Sequence, residues 1–227
     1  MNSRKQLLEM IINKCETKHF NISADWLQRK SNIPYLKLGI NIPTDIIYNE
    51  IKNIEHLFVE HREQYNEHYG WQSFSIHGKS YDSTREDEYY NDDRPHIWTN
   101  EAKDLMPNTV DFFKNNWFGN TFNRLRVMKL LPGGYVFIHS DGNLPGRLGP
   151  VNIAITQPTG CKFVFEEYGV VPFQTGDSYI LNVANRHMVF NDSDEVRYHI
   201  IAHHLTATEQ YNTMLIKSFN EYINETC

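Results

Sequence analysis

The sequence predicts a mainly β fold, an antiparallel sandwich or barrel of the jelly-roll type that is supported by helices. From Arg124 onward, short apolar and β-branched runs alternate with glycine-containing turn signals, which is the pattern of closely spaced strands. The chain of 227 residues is 40% hydrophobic and 13% aromatic, which excludes a disordered protein and provides for a large core. We therefore expect residues 1–227 to form a single domain.

The first 66 residues are expected to be helical and to support the sheet. An amphipathic helix is predicted near the N-terminus, because apolar residues recur at helical spacing at Leu7, Leu8, Ile11, Ile12 and Cys15. A second helix is predicted over Pro43–His61, with Thr44 as its N-cap. One apolar stripe supports this second helix and consists of Ile47, Ile51, Ile54, Leu57 and Phe58.

The middle of the chain is predicted to be less regular. A partly regular strand is expected around Trp71, Phe74 and Ile76. The following segment, Lys79–Trp98, is polar, acidic and aromatic without periodicity, which predicts a long surface loop of the kind that forms lids or binding segments. A short helix is expected around Asn108–Asn115.

The β core is predicted over residues 71–204. Beyond the strand near Trp71, its β-like runs are RLRVMKLL, YVFIHS, VNIAIT, CKFVFEE, SYILNV and VRYHIIAHH. Turn signals such as PGG, QPTG and QTGD split these runs. A C-terminal helix is predicted over residues 206–224, where Thr206 and Glu209 form a capping-box pair.

Composition excludes several classes of partner. The formal net charge of -6 argues against nucleic acid, because phosphate binding requires a basic face. No apolar run approaches the roughly 18 to 20 residues that span a bilayer, and the N-terminus lacks the features of a signal peptide. The 3 cysteines are far apart and form no C-x-x-C pair, which favours a reduced compartment. We expect a cytoplasmic, soluble protein with no membrane partner.

A metal site is predicted from two histidines and one carboxylate. His139 and Asp141 end a strand-like run two residues apart, so their side chains are expected on the same face. His187, at the start of a later run, supplies the third ligand of a 2-His-1-carboxylate facial triad. Such a triad leaves three metal positions open and is typical of non-haem Fe(II) oxygenases, whereas all-histidine sites favour Zn or Cu.

Arg197 is predicted to bind a co-substrate. It follows His187 by ten residues, on the next β-like run. An arginine inside a barrel is costly without a partner, and a guanidinium binds a carboxylate with two parallel hydrogen bonds. A dicarboxylate that chelates the metal through one end would place its other carboxylate near Arg197. This arrangement favours 2-oxoglutarate as a co-substrate, together with O2.

Residues 71–204 resemble the Fe(II)/2-oxoglutarate-dependent oxygenases, in the branch of aspartyl/asparaginyl β-hydroxylases and L-proline hydroxylases. The similar segments are RLRVMKLLPGGYVFIHSD, GPVNIAI, GCKFVFE and GDSYILNVANRHMVFNDSDEVRYHII. The resemblance implies a double-stranded β-helix (a cupin-like jelly roll), Fe(II) at His139, Asp141 and His187, and 2-oxoglutarate at Arg197. Asn152 is a further candidate for the co-substrate. Asp141 retains a metal carboxylate that many aspartyl/asparaginyl β-hydroxylases lack, which argues against a halogenase.

The resemblance implies hydroxylation of an unactivated C–H bond of an amino acid, either free or as a prolyl, aspartyl or asparaginyl residue of a peptide. Candidates for the substrate site are Arg126 and Arg147 as a carboxylate clamp, Trp98 as a closing residue, and His199. His199 shares strand parity with Arg197, so it is expected to face either the substrate or the groups behind the site. Two alternatives remain open, a cupin-like metal-binding protein without oxygenase activity and a metal-dependent isomerase or hydrolase.

Overall fold

The computed structural model describes residues 33–62, 68–84, 93–141 and 149–226. Within these residues the chain forms eleven strands: β1 Tyr35–Leu38, β2 Val59–Glu60, β3 His68–Gly78, β4 Ile97–Trp98, β5 Phe122–His139, β6 Val151–Ala154, β7 Cys161–Phe165, β8 Gly169–Val171, β9 Ser178–Leu181, β10 His187–Asn191 and β11 Arg197–His204. The described α-helices are α1 Thr44–Asn53, α2 Asn100–Leu105, α3 Pro107–Asp111 and α4 Glu209–Thr226, and a π-helical turn, Phe112–Asn116, continues α3. None of these helices has the length and apolar content needed to cross a lipid bilayer.

All strand pairs are antiparallel, and the sheet is nearly closed. Its main path runs β1-β9-β6-β11-β5-β10-β7-β8, and β3 lies on β5 with the two-residue strands β2 and β4 attached to it. A mainly β jelly roll with supporting helices is therefore confirmed. The long strand β5 organises it, because its first part pairs with β11 and its last part pairs with β10.

The predicted turn at PGG, residues 132–134, is wrong. The chain continues through these residues as one strand of 18 residues and changes its partner there instead of reversing. Glycine is favoured at both positions, for different reasons. Gly133 has φ +71°, in the left-handed region. A Cβ on Gly134 would lie 2.7 Å from the carbonyl oxygen of Leu131, so that backbone contact excludes a side chain.

The helical description of residues 1–66 is corrected in its described part. The helix expected over Pro43–His61 ends at Asn53 and is followed by a 3-10 turn, Glu55–Leu57, and by strand β2. Thr44 lies inside the helix, and Pro43 precedes it without a side-chain cap. Strand β1 also lies in this segment and pairs with β9. Sheet pairing outweighs helical periodicity here, because β1 and β2 satisfy backbone groups at open sheet edges.

Other boundaries also differ from the prediction. Strand β4 ends the expected 79–98 loop and pairs with β3, and the rest of that loop is described only at residues 79–84 and 93–96. The C-terminal helix starts at Glu209, and the Thr208 hydroxyl, not that of Thr206, accepts a hydrogen bond from Tyr211 N. The amphipathic helix predicted near the N-terminus lies outside the described residues.

Two hydrophobic clusters fill the interior. The larger joins the helices to the sheet and includes fully buried Ile47, Phe74, Phe113 and Phe219. The smaller lies inside the barrel near the end of β5 and includes Leu130, Val136, Phe163 and Val189, which also line the cavity described next. The apolar floor of the site is therefore part of the packed core.

Candidate metal centre and co-substrate pocket

A cavity of about 110 Å³ opens into the barrel. Its wall contains all three predicted metal ligands and both predicted co-substrate residues, namely His139, Asp141, His187, Arg197 and Asn152. These residues come from β5, from the segment after it, and from β10, β11 and β6. The sheet therefore brings together side chains that are up to 58 positions apart in the chain.

A β-bulge turns His139 into the cavity. His139 pairs with His187, and Val136 pairs with Val189, so three steps along β5 oppose two along β10. On β5, Tyr135 and Phe137 point outward and are 39% and 53% exposed. His139 has the same parity as these two residues, and in a regular strand it would face solvent with them. The bulge is what places its imidazole beside His187.

The three side chains converge on one point. Their ligand atoms all lie within 4.8 Å of one another, and His139 Nε2 is 3.6 Å from Asp141 Oδ1. The centroids of the two imidazole rings are 4.4 Å apart. Asp141 lies just beyond the end of β5, where its backbone N–H donates to the carbonyl oxygen of Val183 at 2.9 Å. His139 and Asp141 therefore lie together as predicted, but the bulge and the segment after β5 bring them together, and strand alternation does not.

Hydrogen bonds to carbonyl groups set the tautomer of both histidines. His139 Nδ1 donates to the carbonyl oxygen of Phe137 at 2.7 Å, and His187 Nδ1 donates to that of Asn185 at 2.9 Å. Because a carbonyl can only accept, Nδ1 carries a hydrogen in both rings, and in the neutral form of each ring the lone pair is on Nε2. Burial lowers the pKa of His187 below its usual value, despite the bond to Asn185. Both rings thus suit a metal ion, which is bound by neutral imidazole.

The donor set fits Fe(II). Two imidazole nitrogens and one carboxylate oxygen on one side of a cavity form the facial triad of non-haem Fe(II) oxygenases. The ring of Phe163 stacks on His187 at a centroid distance of 5.2 Å, which fixes the ring plane of this ligand. An apolar surface therefore backs the metal position on the side of β7.

Arg197 is buried, with 6% of its surface exposed, and it faces the same cavity. In the described parts of the chain, no carboxylate lies within 4.0 Å of its guanidinium. Burial lowers its pKa to about 10, which still leaves it protonated at neutral pH. A buried cation without an anionic partner is costly, so its environment suits an incoming carboxylate. Asn152, on β6, is buried on the same wall.

The predicted substrate residues have different positions. Arg126 is buried on the cavity wall, where it donates to Ser75 Oγ at 3.1 Å and to the carbonyl oxygen of Ser83 at 2.7 Å. His199 lies on the wall beside Arg197. Trp98 is not one of the described residues that line the cavity; it packs on Phe122 at a centroid distance of 5.7 Å. Arg147 lies outside the described residues.

Strand parity with Arg197 also predicts that His203 faces the barrel, and it lies on the wall. Sequence reasoning missed other groups on the wall, including Arg124 and His61. Arg124 shares strand parity with Arg126, so alternation could have identified it. His61 offered no such signal, because it was assigned to the end of a helix. Its Nδ1 is 2.9 Å from Ser73 Oγ, and burial together with Arg126 holds its pKa well below the usual value.

Comparisons with known proteins agree with this geometry. Residues 44–205, more than half of the chain, match the family described as Aspartyl/Asparaginyl beta-hydroxylase. No curated protein matches the sequence.

Two solved structures show the same fold at low identity. An oxidoreductase of the 2OG-Fe(II) oxygenase family from Burkholderia pseudomallei has a TM-score of 0.52 at 14% identity, over 79% of this chain and 86% of that chain. The non-heme alpha ketoglutarate dependent carbocyclase SnoK from nogalamycin biosynthesis has a TM-score of 0.51 at 11% identity, over 81% and 84% of the two chains.

The family match covers the segment that carries the His139–Asp141–His187 cluster. Together, the match and the cluster confirm an oxygenase whose cofactors are Fe(II), 2-oxoglutarate and O2. The chain belongs to the aspartyl/asparaginyl β-hydroxylase family.

Proposed function

We propose that this chain hydroxylates an unactivated C–H bond of an amino acid, either free or as a prolyl, aspartyl or asparaginyl residue of a peptide. One observation carries the proposal: the three converging metal-binding side chains and the buried Arg197 line the same cavity. A metal site alone is compatible with many reactions. A metal site fits a dicarboxylate co-substrate when its cavity also contains a buried arginine that has no carboxylate partner among the described residues.

His139, Asp141 and His187 would hold the metal ion on one side of the cavity. The carbonyl oxygens of Phe137 and Asn185 orient the two imidazoles and keep their Nε2 atoms free to ligate. When bound, Fe(II) with 2-oxoglutarate and O2 supplies oxidative decarboxylation to succinate and CO2, coupled to hydroxylation of the substrate. The protein contributes orientation and an enclosed, largely apolar floor, formed in part by Leu130, Phe163 and Val189.

Arg197 would bind the carboxylate of 2-oxoglutarate that lies away from the metal. Its guanidinium stays protonated at neutral pH and offers a planar pair of donors to that group. Asn152 adds an amide on the same wall. These two residues would therefore set the orientation of the co-substrate along the cavity.

The substrate would enter from the side of the cavity that Arg126 lines. A substrate carboxylate would replace or extend the contacts that Arg126 makes with Ser75 and Ser83. Arg147 and Trp98 remain candidates for a second contact and for closing the site. A small molecule or a peptide is the expected partner, because the net charge of -6 disfavours nucleic acid.

The test is succinate formation from 2-oxoglutarate in the presence of Fe(II), ascorbate and O2, with a panel of free amino acids and peptides. We expect one class of panel member to stimulate succinate formation by wild type and to gain one oxygen atom by mass spectrometry. His187→Ala and Arg197→Ala should abolish both signals, and His56→Ala, an exposed histidine, should retain them. Equal succinate formation by His187→Ala and wild type would refute the proposed site.

A further inference from the structure

Two neutral side chains hold the guanidinium of Arg197. Its Nε donates to Gln157 Oε1 at 3.4 Å, and its Nη2 donates to His199 Nδ1 at 2.8 Å. His199 Nε2 in turn lies 3.0 Å from the same Gln157 oxygen. The three side chains therefore form a closed triangle of hydrogen bonds on the cavity wall, next to the predicted co-substrate position.

The donors and acceptors in this triangle can be assigned without ambiguity. A guanidinium has no acceptor, so His199 Nδ1 must offer its lone pair, and the hydrogen of the neutral ring resides on Nε2. Gln157 Nε2 donates to the carbonyl oxygen of Cys161 at 2.7 Å, which fixes Oε1 as the atom that faces Arg197. His199 thus donates to Gln157 Oε1. Both ring nitrogens of His199 are used within the protein, which leaves none for a substrate.

The triangle leaves a defined part of Arg197 available. A guanidinium carries five N–H donors, and two of them, on Nε and Nη2, are used by Gln157 and His199. Both donors of Nη1 and one of Nη2 remain, and this edge of the fork matches the two oxygens of a carboxylate. Gln157 is itself held on the backbone side, where its N–H donates to Thr175 Oγ1 at 3.0 Å.

We propose that Gln157 and His199 are positioning residues for 2-oxoglutarate: they hold Arg197 with its Nη1/Nη2 edge toward the cavity, and their neutrality reserves its charge for the incoming carboxylate. The inference rests on the proposed function. It gives His199 a role behind Arg197 instead of at the substrate. It also includes Gln157, a residue in the predicted QPTG turn that the sequence did not single out.

The first test is Gln157→Glu, which keeps the size of the side chain and places an anion against Arg197. We expect the dissociation constant of 2-oxoglutarate to rise about tenfold or more, because an internal carboxylate competes with the co-substrate. Calorimetry with Mn(II) and without O2 measures this affinity directly, and Mn(II) affinity should stay unchanged. Gln174→Glu, the same substitution at an exposed position, should bind 2-oxoglutarate as wild type does.

A graded pair at position 199 tests the hydrogen bond to Arg197. His199→Asn retains a side-chain acceptor near the position of Nδ1, and His199→Leu removes it. We expect a larger loss of 2-oxoglutarate affinity for His199→Leu than for His199→Asn, with similar thermal stability. Equal losses of affinity in the two His199 variants would refute the positioning role, and so would wild-type affinity in Gln157→Glu. Either result would do so even if wild type binds 2-oxoglutarate and Arg197→Ala does not.

The tautomer of His199 gives a readout that needs neither metal nor co-substrate. Two-bond ¹⁵N–¹H correlation spectra of the metal-free protein should show a neutral His199 ring with its hydrogen on Nε2, and the signal is assigned by its loss in His199→Asn. A hydrogen on Nδ1 would exclude the triangle. If the tautomer is as expected but wild type does not bind 2-oxoglutarate, the proposed function fails and the positioning role fails with it.

Discussion

At the scale of single residues, the site depends on side chains whose charge is set by what surrounds them. Arg197 is buried among neutral groups, so its charge has no internal counter-ion in the described structure. The Nδ1–H groups of His139 and His187 donate to main-chain carbonyls, which leaves Nε2 as the ligating atom of each neutral ring. The proposed anion-binding residue is therefore a cation, and the candidate metal ligands are two imidazoles and one carboxylate.

Arg197→Lys should weaken 2-oxoglutarate binding by about 10- to 100-fold, because lysine keeps the charge but cannot form two parallel hydrogen bonds with a carboxylate. Calorimetry with Mn(II) in the absence of O2 measures the effect. The matched control is Arg186→Lys, since Arg186 is exposed and pairs with Glu166 at 3.1 Å. Unchanged affinity in Arg197→Lys would show that charge alone suffices there.

His187→Ala should reduce Mn(II) affinity at least about 100-fold, since it removes one of three ligands from a preformed site. Titration followed by electron paramagnetic resonance of free Mn(II) measures the affinity. His56→Ala, at an exposed histidine, serves as the control. A wild-type affinity in His187→Ala would mean that the ion binds elsewhere.

At the scale of elements, strand β5 positions His139, the first of the three candidate metal ligands. It leaves β11 for β10 near Gly133 and Gly134, and it bulges between Val136 and His139. The change of partner carries β5 from β11, the strand of Arg197, to β10, the strand of His187. The bulge then rotates the last residue into the cavity. The change of partner and the bulge, both in β5, thus place His139 in the cavity that Arg197 also lines.

Alanine at the two glycines should have different costs. Gly133→Ala should lower the free energy of unfolding by about 1 kcal/mol, because only the left-handed backbone conformation is unfavourable and no atom lies within 4 Å of the added Cβ. Gly134→Ala should cost about 3 kcal/mol, because its Cβ would meet the carbonyl oxygens of Leu131 and Tyr69. Urea denaturation measures both, and equal costs would contradict the strand geometry at Gly134.

At the scale of the whole molecule, the interior contains neutral histidines that resist protonation. His204 accepts a hydrogen bond from Trp117 Nε1 at 2.9 Å, and burial lowers its pKa to about 3. Burial also holds the pKa values of His61 and His199 well below the usual value. Because the unfolded chain takes up these protons near pH 6.5 and the folded protein does not, stability must fall as the pH drops below 6.5.

For His204 alone, the expected loss between pH 7.5 and 5.5 is about 1.4 kcal/mol. Urea denaturation of the metal-free protein at both pH values measures it. His204→Phe should reduce the pH-dependent loss by about this amount, even if the variant is less stable at pH 7.5. The same pH-dependent loss in the variant and in wild type would show that His204 is protonated in the folded protein.

Much of the architecture could be predicted from local pattern. The β-like runs after Arg124 correspond to strands β5 to β7 and β9 to β11, because alternating burial and closely spaced turns leave a mark in the sequence. The helix predicted over residues 43–61 is present but ends at Asn53, and the turn predicted at PGG is wrong. In both places pairing with another strand, β3 for residues 59–60 and β10 beyond PGG, decided the conformation, and local propensity does not include such partners.

The sequence by itself determined which side chains could form the site: His139, Asp141, His187 and Arg197, whose chemistry and order limit the possible reactions. Only the tertiary structure decided that they meet. Strand parity alone would place His139 outside with Tyr135 and Phe137, and a bulge set by pairing with β10 turns it inward. The triangle of Gln157, His199 and Arg197 has the same origin, since Gln157 and Arg197 lie 40 positions apart. Contacts between distant segments depend on register, and register is a property of the folded sheet.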